Sequence, residues 1–536
     1  MFIWLTGMGL GISLIMISGL LILIFMNGKD FFWPAEIIQI TRTDGTRVFG
    51  NQVKAEDVPA VNLPDSLKDR GLERFQLKVG NRDLYGYDFI WIDESEILSR
   101  EIPVYASTIE RMEFGNFYGI IREILVEGVP EARGAENVYS EIQKYVDYTN
   151  NIRDDIKSIE KNEIGKINYR IEELRLDIEK IKYYEKPSKQ RQEKITEIEK
   201  EIETQSSKYI LLKHKVDSLS ALVNRYSLNV TDASGTEKNI YFDKIVRVYY
   251  PNKMTFSEKL SYSFSKIMEF IFDEPRESNT EGGIFPAIFG TVLMVLLMSI
   301  AVVPFGILAA LYLREYARQG TLVRLVRIAV NNLAGVPSIV FGVFGLGFFI
   351  YLIGGTIDQL FYPEKLPTPT WGTGGILWAS LTLALLTMPV VIVATEESLM
   401  AIPRGVREAA LALGATKWQV IRKIVLPAAT PGILTGLILA MARAAGEVAP
   451  LMITGVVKLA PSLPFDSFYP FFHLDRKFMH LGFHIYDVGF QSPNVEAAMP
   501  MVYSTTLLLI IIVVLLNVTA MIVRAKLKKK YKSSTF

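Results

Sequence analysis

Residues Arg407–Gly455 read REAALALGATKWQVIRKIVLPAATPGILTGLILAMARAAGEVAPLMITG, and this stretch decides the fold. Its first half is polar and basic, with the look of a helix–turn–helix. Its second half is apolar and expected as a helix over about 431–454, long enough to enter a bilayer, yet it carries Arg443 and Glu447. A charge within a span costs roughly 2.5–3.5 kcal/mol on insertion scales, so the pair marks function unless it merely neutralises itself to let the helix insert. The order Arg-before-Glu at i,i+4 is the less favourable one for such a pair. A surface outside the bilayer is thus joined directly to buried charge inside it.

Working outward, five more apolar segments stand at 2–26 and about 285–313, 328–353, 374–395 and 501–523. Each approaches or exceeds the ~20 residues that cross ~30 Å of hydrocarbon. Six spans put both termini on one side. Residues 2–26 are uncharged, with no basic leading region and no A-x-A-like cleavage site, so they read as a retained anchor rather than a cleaved signal peptide. Orientation follows Lys and Arg near the spans. Arg314, Arg318, Arg324 and Arg327 face only Glu315 in their segment, 396–430 has five basic and three acidic residues, and the tail RAKLKKKYK has six basic residues and no acid. Loops 351–373 and 456–500 each sum to −1. The basic segments belong inside, which places 27–280 outside and both termini in the cytoplasm. A basic tail against a span is a topology anchor before it is a nucleic-acid patch.

Composition hides two populations. The 536 residues are 50% hydrophobic and 21% charged with a net charge of +1, but most of the charge lies in 27–280. The absence of cysteine excludes disulfides, thiol catalysis and Cys-ligated metal. Within 27–280, pieces such as IIQITRTDGTRVFG and DLYGYDFIWI, 226–231 and 239–250 read as short strands divided by turns. From about 138 to 224 the composition shifts to Glu, Lys, Ile and Leu. Ile164, Ile167, Ile171, Leu174, Ile178 and Ile181 form one heptad seam, and Ile195, Ile198, Ile202, Gln205, Tyr209, Leu212, Val216, Leu219 and Val223 a second. Lys186-Pro187-Ser188 breaks the pattern, as proline must in a helix interior. The segment reads as an antiparallel coiled-coil hairpin inserted into a β domain, with arms of roughly 50–70 Å; a helix pair that dimerises with another chain is the alternative. The fold class is therefore an α-helical polytopic membrane protein of about six spans with an α+β outer domain. Its parts are an anchor (1–26), the outer domain (27–280), a membrane core (281–523) and a basic tail (524–536).

No catalytic or metal constellation stands out. GxxxxGK[ST] is absent, and His480 and His484, four apart, lack an acidic partner for a metal and read as surface or packing residues. The motif EAAxxxGx₉IxLP is complete, supplied by Glu408, Ala409, Ala410, Gly414, Ile424, Leu426 and Pro427. Small alanines admit a partner surface, Gly414 permits a backbone reversal, and Leu426-Pro427 is expected to end the second short helix where the next span begins.

This motif resembles the coupling loop of ABC importer permeases, here within 397–430. NNLAGVPSIVFGVFGLGFF (331–349), TLALLTMPVVIVATEESL (382–399) and MARAAGEVAPLMITG (441–455) resemble the PstA-type permeases of phosphate importers. The resemblance covers about 281–523; the 27–280 domain departs from that family's short pattern. It implies a type I importer permease of the bacterial inner membrane that moves inorganic phosphate and hydrolyses nothing itself. Expected partners are a PstC-like permease, a dimer of ATP-binding subunits that dock at the coupling loop, and a periplasmic phosphate-binding protein touching 458–500. ATP is the partner's; no cofactor is expected on this chain. The family's R-x-x-G-E segment matches Arg443, Gly446 and Glu447, which implies that Arg443 attracts the anion and Glu447 keeps it from being trapped. Ser338, after Pro337, is a further pathway candidate. Another oxyanion such as molybdate or sulfate, or a membrane-anchored coiled-coil sensor, are the rival functions. A sensor needs a cytoplasmic output domain, and the inner loops and tail are too short for one.

Overall fold

The computed structural model describes residues 2–58, 73–492 and 495–532. They form two compact units, one from residues 1–28 with 284–536 and the other from Lys29–Gly283.

The Lys29–Gly283 unit is built on two antiparallel sheets. The first has the order β4-β3-β2-β1-β5, from β1 (Ile38–Arg42), β2 (Arg47–Asp57), β3 (Glu73–Lys78), β4 (Phe89–Asp93) and β5 (Ile97–Glu101). The Asp44-Gly45 turn between β1 and β2 is held by Asp44 Oδ1, which accepts from the Thr46 N–H at 2.8 Å. The second sheet comprises β6 (Ser107–Arg111), β7 (Phe117–Val126), β8 (Val129–Arg133), β9 (Tyr226–Thr231), β10 (Glu237–Tyr241) and β11 (Ile245–Tyr249), in the order β10-β9-β7-β6-β11 with β8 on β7.

A helical hairpin is inserted between β8 and β9. Its outgoing arm runs Ala135–Ser158, passes a π turn at Ile159–Ile164 and continues through Gly165–Tyr184; the return arm is Lys189–Val223. Ser188 starts the return arm by accepting the Arg191 N–H at 3.1 Å. Ion pairs Lys194–Glu185 (2.7 Å) and Arg170–Glu201 (2.9 Å) join the arms and fix them as antiparallel. Leu174, Ile178 and Ile195 of the expected seam are buried, and the other seam positions are at least half-buried. At 1.5 Å per residue the 35-residue return helix is about 52 Å long. The outgoing arm begins earlier than its seam: Val138, Ile142, Val146 and Ile152 join Ile109, Phe117, Leu228 and Phe242 in the β-domain core. The hairpin is rooted in the sheet.

Among the described residues the other unit holds six helices long and apolar enough to cross a membrane. Span 1 is Phe2–Gly28, span 2 is Phe285–Leu311 with a π turn to Tyr316, and span 3 is Ser338–Phe361. Span 4 is Ile376–Met400, span 5 is Lys417–Gly446 and span 6 is Val495–Lys532. Span 4 is the most enclosed and packs against spans 2 and 5, where Gly306 lies on Val391 and Gly436 on Ala394 with no room for a side chain. Close approach through small residues substitutes for a hydrophobic driving force that lipid does not provide.

Three expectations change. Span 3 starts at Ser338, not 328, because Pro337 disfavours helix in the residue before it; Thr321–Leu333 forms a separate amphipathic helix. Leu426-Pro427 does not end a helix. The chain runs from Lys417–Val420 through a π turn at Ile421–Val425 straight into span 5, and the wider turn accommodates the N–H that Pro427 lacks. Finally, the expected helix over 431–454 is broken. It ends at Gly446, Glu447 is extended (φ −80°, ψ 134°), and a new short helix starts at Ala449. Pro450 blocks a continuous helix, since it cannot bond the carbonyl four residues back and its ring would strike it.

Candidate functional site

The helix–turn–helix half, the candidate docking surface, sits on the ends of three spans. Arg404–Ala412 forms a helix, Gly414 adopts φ +85° with open space around it, and Lys417 begins the next helix. A left-handed residue is what the reversal needs, and glycine supplies it at least cost. Thr416 and Gln419 form a reciprocal capping box: Thr416 Oγ1 accepts from the Gln419 N–H at 3.3 Å, and Gln419 Oε1 accepts from the Thr416 N–H at 2.9 Å.

Beneath this turn, Ala410 and Val420 pack with Leu311 of span 2, Leu399 of span 4 and Ile433 of span 5, flanked by Ile424 and Leu426. Arg407 pairs with Glu315 at 3.3 Å and donates from Nη2 to the Leu399 carbonyl at 2.6 Å; Lys417 donates to the Glu315 carbonyl. The outer face is the reverse. Glu408 and Ala409 are exposed, Leu413 is 89% exposed and Trp418 53%. Pro427 is half-buried at the start of the membrane helix. A force on this turn acts on spans 2, 4 and 5 together.

The charged half, the candidate pathway site, lies at the break in span 5. Arg443 stands in the last turn before the break and Glu447 just beyond it, with Nε and Oε1 3.6 Å apart. That separation is an ion pair but longer than a hydrogen bond. The Arg443 side chain is 34% exposed, and among the described residues no hydrogen bond occupies its guanidinium. Its planar fork of donors is therefore available to a planar or tetrahedral oxyanion. Span 3 backs the break: a Cβ on Gly342 would lie 2.7 Å from Pro450 Cα, and one on Gly345 would collide with Thr382 and crowd Thr454. Here span 3 widens into π geometry over Gly345–Gly354. Ser338 heads span 3 one turn before Gly342, half-buried, and no hydrogen bond ties it to Arg443 or Glu447 among the described residues.

The segment after span 5 departs most from its reading. Val456, Phe478, Met479, Leu481 and Val488 are buried, as are His480, His484 and Asp487, so much of this stretch folds into the membrane unit instead of lying open. Lys458 pairs with Asp487 at 3.1 Å, and the Leu481 N–H donates to Thr291 Oγ1 of span 2 at 2.9 Å. Both histidines are enclosed rather than at the surface, and no group able to hold a metal occurs among the described residues. The exposed remainder includes Leu459, Phe465, Tyr469, Phe471 and Phe472. Sequence signalled this burial only through Asp487 falling three residues after His484 in an apolar setting.

Residues 302–533 match the family described as the binding-protein-dependent transport system inner membrane component. The probable ABC transporter permease protein YqgI of Bacillus subtilis is 30% identical over 236 residues, covering 43% of this chain and 74% of that protein. The chain belongs to this permease family. The phosphate transport system permease protein PstA of Mycobacterium leprae is 38% identical over 187 residues, 35% of this chain and 55% of that protein. Its counterpart in Yersinia pestis is 39% identical over 182 residues, 34% of this chain and 56% of that one. The permease thus spans about half the length of these PstA relatives. It is a multi-pass inner-membrane protein, and both halves of the site fall within 302–533. The Lys29–Gly283 unit lies outside that match.

Proposed function

We propose that this permease carries inorganic phosphate into the cell as one of two membrane subunits, driven by ATP hydrolysis on separate subunits. The observation that carries this reading is Arg443: a guanidinium that makes no hydrogen bond among the described residues, partly exposed at a break in a membrane helix that is continuous with the docking turn. The relatives named as phosphate permeases support the choice of anion.

ATP binding would close the nucleotide subunits against the exposed face of Glu408, Ala409, Leu413 and Trp418. Since Arg407, Ala410, Ile424, Leu426 and Pro427 fasten that turn to spans 2, 4 and 5, closure tilts these spans and changes which side Arg443 faces. Glu447 weakens the hold of Arg443 enough that the anion leaves. Ser338 adds a hydroxyl at the head of span 3. Basic flanks support a topology with the docking turn and both termini in the cytoplasm and the Lys29–Gly283 unit in the periplasm. A PstC-like subunit would complete the pathway, and a phosphate-binding protein would meet the exposed residues of 459–472.

Expression in a permease-deleted strain, with radiolabelled phosphate competed by sulfate or molybdate, tests the reading. Restored phosphate uptake that excess sulfate does not suppress is the expected result. Uptake of molybdate or sulfate without phosphate would overturn it.

A further inference from the structure

Between spans 5 and 6 the permease buries a donor that neither half of the site uses. His480 is fully enclosed at the start of the Leu481–Tyr486 helix. Its Nδ1 accepts the Gly482 N–H at 3.1 Å. Burial pushes its pKa down to about 3, so the ring is neutral across the physiological range. A neutral imidazole whose Nδ1 accepts carries its proton on Nε2. That Nε2–H is sealed from solvent and has no hydrogen-bond partner among the described residues. An unmet buried donor costs about 1–3 kcal/mol, and native proteins keep few without a reason.

The position supplies the reason. The Leu481 N–H is tied to Thr291 of span 2 at 2.9 Å. A Cβ on Gly482 would lie 2.7 Å from Val448 Cγ2, and Val448 directly follows Glu447 at the break in span 5. His480 therefore stands where the returning segment is wedged between span 2 and the break that carries the Arg443–Glu447 pair.

We propose that His480 is a second anion-binding residue of the pathway, its Nε2–H closed over in this conformation and presented to the substrate oxyanion when spans 2 and 5 part. The proposal rests on the reading of the permease as an oxyanion transporter. The chemistry is complementary: Arg443 supplies charge, while His480 supplies a directional donor that adds no positive charge to hold the anion back.

The test measures phosphate uptake kinetics of the full chain with its partner subunits in permease-deleted cells. His480→Leu removes the donor and should raise KM about tenfold or more, the loss expected for a hydrogen bond to a charged group, at normal membrane abundance. His480→Gln, whose amide can donate, should bring KM back to within about threefold of wild type. If the Leu variant fails to accumulate, His480→Met removes the donor with a more adaptable side chain. Unchanged KM in a donor-less variant, or a Gln variant as impaired as Leu, overturns the proposal while the functional reading stands. A wild type that moves no oxyanion overturns that reading, and this proposal with it.

Discussion

Replacing Arg443 and Glu447 together separates transport from simple charge neutralisation. At 3.6 Å a unit charge pair attracts by about 1 kcal/mol in water and about 5 kcal/mol at an effective dielectric of 20. With a third of the Arg443 side chain exposed, the value lies toward the lower figure. Arg443→Gln alone leaves Glu447 unpaired, so a deficit in that variant mixes assembly with function. Arg443→Gln/Glu447→Gln removes both charges and the insertion cost with them. If the pair serves only to cancel itself, the double variant assembles and transports normally. If the guanidinium grips the anion by two charge-assisted hydrogen bonds, the double variant loses about 3–6 kcal/mol of anion binding. Uptake at low phosphate then falls roughly a hundredfold or more at unchanged membrane abundance. Initial-rate uptake, normalised to permease measured by immunoblot, reads the difference. Double-variant uptake within a few-fold of wild type would refute the pathway role.

Leu413→Asp places a charge on a residue that packs on almost nothing, so fold and membrane abundance should persist while ATPase subunits no longer co-purify; retained co-purification would remove the docking face from Leu413. Gly345→Ala should lower thermal stability by about 1–3 kcal/mol through collision with Thr382, whereas Gly347→Ala, with nothing within 4 Å, should be neutral in the same melting assay. Shortening the hairpin within 160–212 should leave the β domain folded by circular dichroism; removing 140–225 should not, because it takes Ile142, Val146, Ile152 and Val223 from the core. Burial raises the Glu281 pKa from 4.5 to about 7 in the Lys29–Gly283 unit, against the opposing pull of Lys78. A raised folded-state pKa means the contribution is fully present below pH 4.5 and lost as pH rises through about 7. Thermal melts between pH 5 and 8 should show that decline in wild type and a flatter profile in Glu281→Gln.

Much of this permease was legible along the chain because its signals are local. Apolar length is set by bilayer thickness, so six spans could be counted without knowing what they touch. Turn chemistry is equally local: Gly414 foretold the backbone reversal after Glu408–Ala410, and Pro187 the hairpin tip. Arg443 and Glu447 stood out because charge is rare in hydrocarbon.

Tertiary structure decided what depends on packing between distant segments. Pro427 reads as a stop, yet a π turn carries the helix through it, and whether a backbone widens or breaks depends on what lies behind it. Pro450 does break span 5, because the Gly342 face of span 3 leaves room for Pro450 to pack there. His480 looks like any exposed loop histidine until span 2 and Val448 close around it. Residues 407–455 by themselves determine that a polar, basic turn continues into a charged membrane helix, since periodicity and charge are properties of neighbours in sequence. Only the fold decides that this helix ends at Gly446 with no hydrogen bond on the Arg443 guanidinium among the described residues, since the partners that enclose a side chain or leave it open come from elsewhere in the chain.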